Sequence, residues 1–122
     1  LAQNFLYVDR QHLQHYQHGI ALFNQGEFWH AHEQWEICWL SATEPDRSFL
    51  QGLIQTAAAL VHWQRANPRG LERNWYKARP KLVATAPQLH GIDILALIQA
   101  MDAFVLSNQR LQSAPQLRYT PF

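Results

Sequence analysis

The chain has 122 residues, 48% of them hydrophobic and 16% charged, which is enough apolar surface for one domain with its own core and argues against disorder. Ten Lys and Arg against nine Asp and Glu leave a formal net charge of +1, giving no electrostatic reason to expect nucleic acid or an anionic membrane. A single cysteine, Cys38, excludes an internal disulfide and suits a reducing interior, and no apolar run reaches the roughly 20 residues that span a bilayer. Leu1 to Asp9 lack the basic-then-apolar order of an export signal, so the expected location is the cytoplasm.

One domain over residues 1–122 is expected, with residues 1–8 as an N-terminal arm. The first helix is expected from about Asp9, as its cap, to Asn24, because Leu13, Tyr16, Ile20 and Phe23 recur at spacings of three and four. Gln25-Gly26 ends it, with Gly26 suited to a left-handed turn. A second helix follows from about Glu27 to Ala42, and the loop Thr43-Glu44-Pro45-Asp46 then leaves Asp46 as cap of a third, about Arg47 to Ala66. Asn67-Pro68-Arg69-Gly70 reads as a turn before a fourth helix, about Leu71 to Thr85, which Pro80 should kink or end near Arg79. Ala86 to Gly91 is expected to be a loop, and a fifth helix runs from there to near Arg110, with Ile94, Leu97, Ile98, Met101 and Val105 as its apolar stripe. Residues 113–122 hold two prolines and form an extended tail whose Leu117, Tyr119 and Phe122 can pack across the bundle or dock on a partner. The fold class is therefore all-α, a compact bundle of about five helices, with the second and third antiparallel at its centre.

Five Trp and seven His are many for this length, and the second helix concentrates them. On a wheel of about 100° per residue, Phe28, Trp35 and Trp39 fall together, and His32 and Glu36, four apart, sit within the same aromatic arc. Glu33 lies at its edge, whereas His30 and Gln34 point to solvent. The third helix carries Leu50, Leu53, Ile54, Ala57 and Val61 on one face and Gln51, Gln55, Ala58 and His62 on a second stripe. If the polar stripes meet, His32, Glu33, Glu36, Gln51, Gln55 and His62 surround one site, with His62 paired to Glu36 or Glu33. Burial of Glu36 in that arc would make Glu36→Ala far more costly than Gln34→Ala.

Three uses of such a site compete. It can be a structural polar network or a pocket for a small ligand. It can hold a divalent metal through His32, Glu36 and His62, with Glu33 as base, in a hydrolase-like enzyme; the motif is His-Glu-x-x-Glu and not the His-Glu-x-x-His of zinc peptidases. Or the chain can be a homo-oligomer or partner-binding scaffold that presents Trp29, Trp63, Trp75 or the tail. His12, His15 and His18 are expected to be solvated, His90 to sit in a loop, and Cys38 to lie near the solvent side of its helix.

The string from Leu22 through Gly26, Glu27, Phe28, His32, Glu33, Trp35 and Glu36, then Phe49-Leu50-Gln51-Gly52-Leu53-Ile54-Gln55, Ala58, His62, Asn67 and Gly70, resembles the bacterial and archaeal family called domain of unknown function 309. The resemblance covers about Ala21 to Gly70. It implies a compact helical bundle without an assigned activity and points to the same six polar residues. His30 stands where that family often has Glu, and Leu40 where an Arg often follows the tryptophan.

Overall fold

The computed structural model describes residues 10–107 and 113–121. Five helices run through them: α1 (Arg10–Asn24), α2 (Phe28–Trp39), α3 (Asp46–Gln64), α4 (Pro68–Val83) and α5 (Ile94–Leu106). The class is all-α, as expected. The expected Asp9 cap, the arm at residues 1–8, the end of the fifth helix near Arg110 and Phe122 lie outside the described residues. Among those residues no helix is long and apolar enough to cross a membrane.

Helices α1 and α2 form a hairpin. The amide of Glu27 reaches back to the Leu22 carbonyl at 2.9 Å, and Gly26, at φ +83°, makes the reversal that a side chain would strain. Gly19 has a different duty. A Cβ there would overlap the indole of Trp35, whose Nε1 donates to the Tyr16 carbonyl at 3.1 Å, so the missing side chain lets α2 lie close on α1.

Helix α3 is the centre. Ten of its residues, from Phe49 to Val61, are buried, and the stripe Gln51, Gln55, Ala58 and His62 is half-buried. It packs between α2 and α4. Two anchors set the antiparallel register of α2 on α3: Gln64 donates to the Gly26 carbonyl at 2.8 Å, and the Arg47 guanidinium lies 3.8 Å over the Trp39 ring while donating to the Trp39 carbonyl. On the other side, Gly70 passes against the His62 ring and Gly52 against Leu82, which makes α4 antiparallel to α3 as well.

Three helix boundaries differ from expectation. Helix α4 starts at Pro68 because the Asn67 side chain accepts from the Gly70 amide and Pro68 needs no N–H partner in the first turn. It also runs through Pro80 to Val83; Pro80 is exposed, so the carbonyl that loses its partner is on the side water can serve. At α3, Asp46 is not the cap. Glu44 accepts from the Ser48 amide and hydroxyl instead, and these bonds hold its carboxyl below the usual carboxylate range. The Asp46 carboxylate turns inward to His90.

Across the expected loop and the expected entry to the fifth helix, Gln88–Leu89 (β1) and Ile92–Asp93 (β2) pair antiparallel, joined by His90 and Gly91 at φ +47° and +83°. Two consecutive positive φ values are the signature of the tight turn that suits hairpin twist. The tail extends this ladder: Ile92 bridges to Tyr119, the Asp93 amide donates to the Arg118 carbonyl, and Leu117 is buried. The Asp93 side chain then caps α5 by accepting from the Ala96 amide at 2.9 Å.

The core holds Trp35, Trp75, Tyr16, Phe23, Phe28, Phe49 and Phe104, all fully buried. Trp75 is therefore no interface residue. Its Nε1 donates to Asp102 at 2.9 Å, and Asp102 also accepts a bidentate fork from Arg79, which keeps its carboxyl below the usual range. Trp63 is half-buried, edge-on to Phe104 with ring centres 5.2 Å apart. Of the three tryptophans expected to be exposed, Trp29 alone is, at 51%.

Candidate functional site

The six polar residues singled out in the sequence do not close into one cluster. His32 is partly buried, with Nδ1 3.5 Å from Glu36 Oε1: inside ion-pair range, but without hydrogen-bond geometry. Trp29 stacks on its ring, with centres 5.1 Å apart and planes 17° from parallel. Glu36 is 52% exposed, so the expectation of a buried carboxylate does not hold. Glu33 is equally exposed and accepts from His30 Nδ1 at 3.1 Å. Gln55 accepts from Lys81 Nζ of α4 at 2.9 Å. Asn67 Nδ2 donates to His62 Nδ1 at 3.0 Å, at the far end of α3.

Register explains the separation. With Gly26 level with Gln64 and Trp39 level with Arg47, Glu36 lies level with roughly residues 50–54 of α3, and His62 is about ten residues, or about 15 Å, farther along the axis. The expected pairing of His62 with Glu36 or Glu33 is thus replaced by local partners for all three. Among the described residues no three His, Cys, Asp or Glu side chains form a group that could hold a metal ion, so His32, Glu36 and His62 do not make the expected ligand set.

The residues do share a surface. His32, Glu36, Trp29 and Leu40 occupy the side of α2 that turns from Trp39 and α3 outward, and the half-buried stripe of α3 continues that surface to Lys81 on α4. Leu40 is 73% exposed there. Among the described residues, buried His32 Nδ1 and Trp39 Nε1 have no hydrogen-bond partner, and the two residues stand four before and three after Glu36 on α2. A depression of about 770 Å³ opens elsewhere, beside the tail and hairpin, lined by residues such as Pro87, Asp93 and Arg118, and none of the six residues borders it.

Other histidines also depart from expectation. His15 Nδ1 donates to Gln34 Oε1 at 2.7 Å, and His12 Nε2 lies 3.1 Å from the Ser41 hydroxyl, so the histidine stripe of α1 runs along the α1–α2 seam and only His18 is exposed. Cys38 is fully buried in the same seam, its thiol directed at the His12 carbonyl. The pair the sequence did not reveal is His90 with Asp46: Nε2 to Oδ1 is 2.7 Å, with side chains 6% and 13% exposed. Tyr16 clamps it by donating to the His90 carbonyl at 2.8 Å. The two partners are far apart in sequence, and neither sits in a motif that names the other.

Residues 16–74 match the family described as "Domain of unknown function (DUF309)". No curated protein matches the chain. The matched span contains α2, α3 and all six polar residues.

Proposed function

We propose, for a chain whose residues 16–74 match the DUF309 family, that the domain is a non-catalytic recognition module whose outer α2 side takes a cationic group of its ligand. The observation that carries this reading is the half-exposed indole of Trp29, stacked on His32 and flanked by the half-exposed carboxylates of Glu33 and Glu36. An indole face attracts an ammonium or guanidinium through its quadrupole, and carboxylates beside it add charge-assisted hydrogen bonds. No Lys or Arg stands between Arg10 and Arg47 to neutralise these acids from their own segment. In this reading His32, Glu33, Glu36, Gln51, Gln55 and His62 line a recognition strip. Metal-assisted hydrolysis is the less favoured alternative, because it needs His32, Glu36 and His62 to converge.

Titration with a tetra-arginine peptide, followed by tryptophan fluorescence, tests the reading. Trp29→Ala and Glu36→Gln should each weaken binding about tenfold, roughly 1.4 kcal/mol, while Glu72→Gln on α4 should leave it unchanged. Absence of saturable binding at low salt, at a dilution where the chain is monomeric, or binding indifferent to both α2 substitutions, would falsify it.

A further inference from the structure

The net charge of +1 conceals a strong segregation. Residues 11–46 contain five acids, Glu27, Glu33, Glu36, Glu44 and Asp46, and no Lys or Arg, whereas α4 carries Arg69, Arg73, Lys77, Arg79 and Lys81 with Glu72 as its one acid. Helices α2 and α4 flank α3 and run in the same direction, since each is antiparallel to it. On one face of the molecule, therefore, an acidic row on α2 and a basic row on α4 border the half-buried Gln51, Gln55, Ala58 and His62 stripe. Lys81 marks the inner edge of the basic row by its bond to Gln55, and exposed Lys77 and Arg73 continue it at intervals of four.

We infer that this face is a symmetric homodimer interface, in which the α2 row of each copy receives the α4 row of the other. The inference rests on the reading of the α2 side as a cation-binding surface and names the cation's source. A two-fold axis parallel to α3 exchanges the two flanking helices, so it lays each α2 over the partner's α4 and the α3 stripe over its own copy. Such an interface is self-complementary and closes at two subunits.

The axial register supports it. Gly52 against Leu82 and Gly70 against His62 place Lys81 level with roughly residues 52–55 of α3, Lys77 level with about 56–58 and Arg73 with about 60. On the same scale Glu36 is level with roughly 50–54, Glu33 with 53–57 and Trp29 with 57–61. Without any sliding along the axis, Glu36 then faces the partner's Lys81, Glu33 the partner's Lys77, and Trp29 the partner's Arg73. The first two are ion pairs and the third is a guanidinium over an indole. Ala58, small at the middle of the stripe, lets the two α3 helices approach at the axis. Exposed Leu40 gives the rim an apolar contact.

Sedimentation of the whole chain at low and high salt, with charge-reversal variants, tests the inference. The chain should sediment as a dimer that weakens as salt rises, since exposed pairs are screened. The double variants E33K/E36K and K77E/K81E place like charges opposite each other and should each weaken the homodimer at least about tenfold. Mixed in equal amounts they should form a heterodimer, because both of its contacts are again of opposite sign; the quadruple variant should regain the homodimer. Circular dichroism checks that these changes leave the fold intact, and the rescue by mixing cannot come from misfolded chains. A monomer that still binds tetra-arginine through Trp29 would overturn the dimer and leave the cation-binding reading standing. A monomer that binds no tetra-arginine would overturn both. Assemblies larger than two, or a dimer indifferent to both reversals, would overturn this interface.

Discussion

His90 and Asp46, 44 residues apart in the chain, meet at 2.7 Å with both side chains almost fully withdrawn from water. Through this contact the hairpin that follows α4 is fastened to the first turn of α3, and Tyr16 of α1 holds the same residue by its backbone. Three parts of the chain are thus tied at one point. A carboxylate this deep is costly once its partner is gone, because water cannot replace it.

Truncating Asp46 to Ala removes the carboxylate that faces His90 Nε2 and should cost about 1–3 kcal/mol. Asp46→Asn keeps an acceptor oxygen in the same place and should cost clearly less. Urea midpoints of the two variants make the comparison. Equal losses would mean that the contact contributes through shape alone.

On α2 the order of two substitutions should be the reverse of what the sequence suggests. Glu36 is half-exposed and, among the described residues, pairs with His32, so Glu36→Ala should change stability by no more than about 0.5 kcal/mol. Gln34 accepts from His15 across the helical seam, and its loss should cost about 1 kcal/mol. Unfolding should be measured at a dilution where association adds nothing to stability. A large loss at Glu36 would show that its carboxylate has a buried role.

The two substitutions also mark where sequence reasoning succeeds and where it stops. Apolar spacings placed the first and fifth helices, turn and proline residues bounded the others, and Gly26 located the first reversal, because these depend on a residue and its near neighbours. The wheel also put His32 and Glu36 beside each other correctly. It cannot say how far one helix slides along another, and that sliding separates His62 from Glu36. Nor does it say how closely two helices approach. The absence of a side chain at Gly19 pulls α2 onto α1, hides Cys38 and turns His15 inward. Asp46 was read as a cap because a cap is local, whereas its partner lies in a turn that only the folded chain brings near.

Tyr16 gives the molecule an alkaline limit. Burial pushes its phenol well above the ordinary value, and the nearby Tyr119, Cys38 and Asp46 push the same way. In the unfolded chain a phenol ionises near pH 10, about its model value. The folded protein resists that ionisation, so the stability it contributes is complete below about pH 10 and is lost as pH rises toward the folded value. Of the four tyrosines, Tyr16 should ionise only as the domain unfolds, a late cooperative step in tyrosinate absorbance. In Tyr16→Phe that step should vanish from the absorbance titration. Early, non-cooperative ionisation of all the tyrosines would rule the effect out.

The tail is held in both directions by one side chain: Asn24 accepts from the Leu117 amide at 2.7 Å and donates to its carbonyl at 3.0 Å, while Tyr119 bridges to Ile92 and takes a bond from Gln17. A chain is synthesised from its N-terminus. The flank of α1 and the Ile92 strand therefore stay uncovered until the residues around 119 have cleared the ribosome. Closure of the domain waits for a segment that is made only after all five helices. Before it, the nascent chain offers an unfinished apolar surface of the kind that holding chaperones bind.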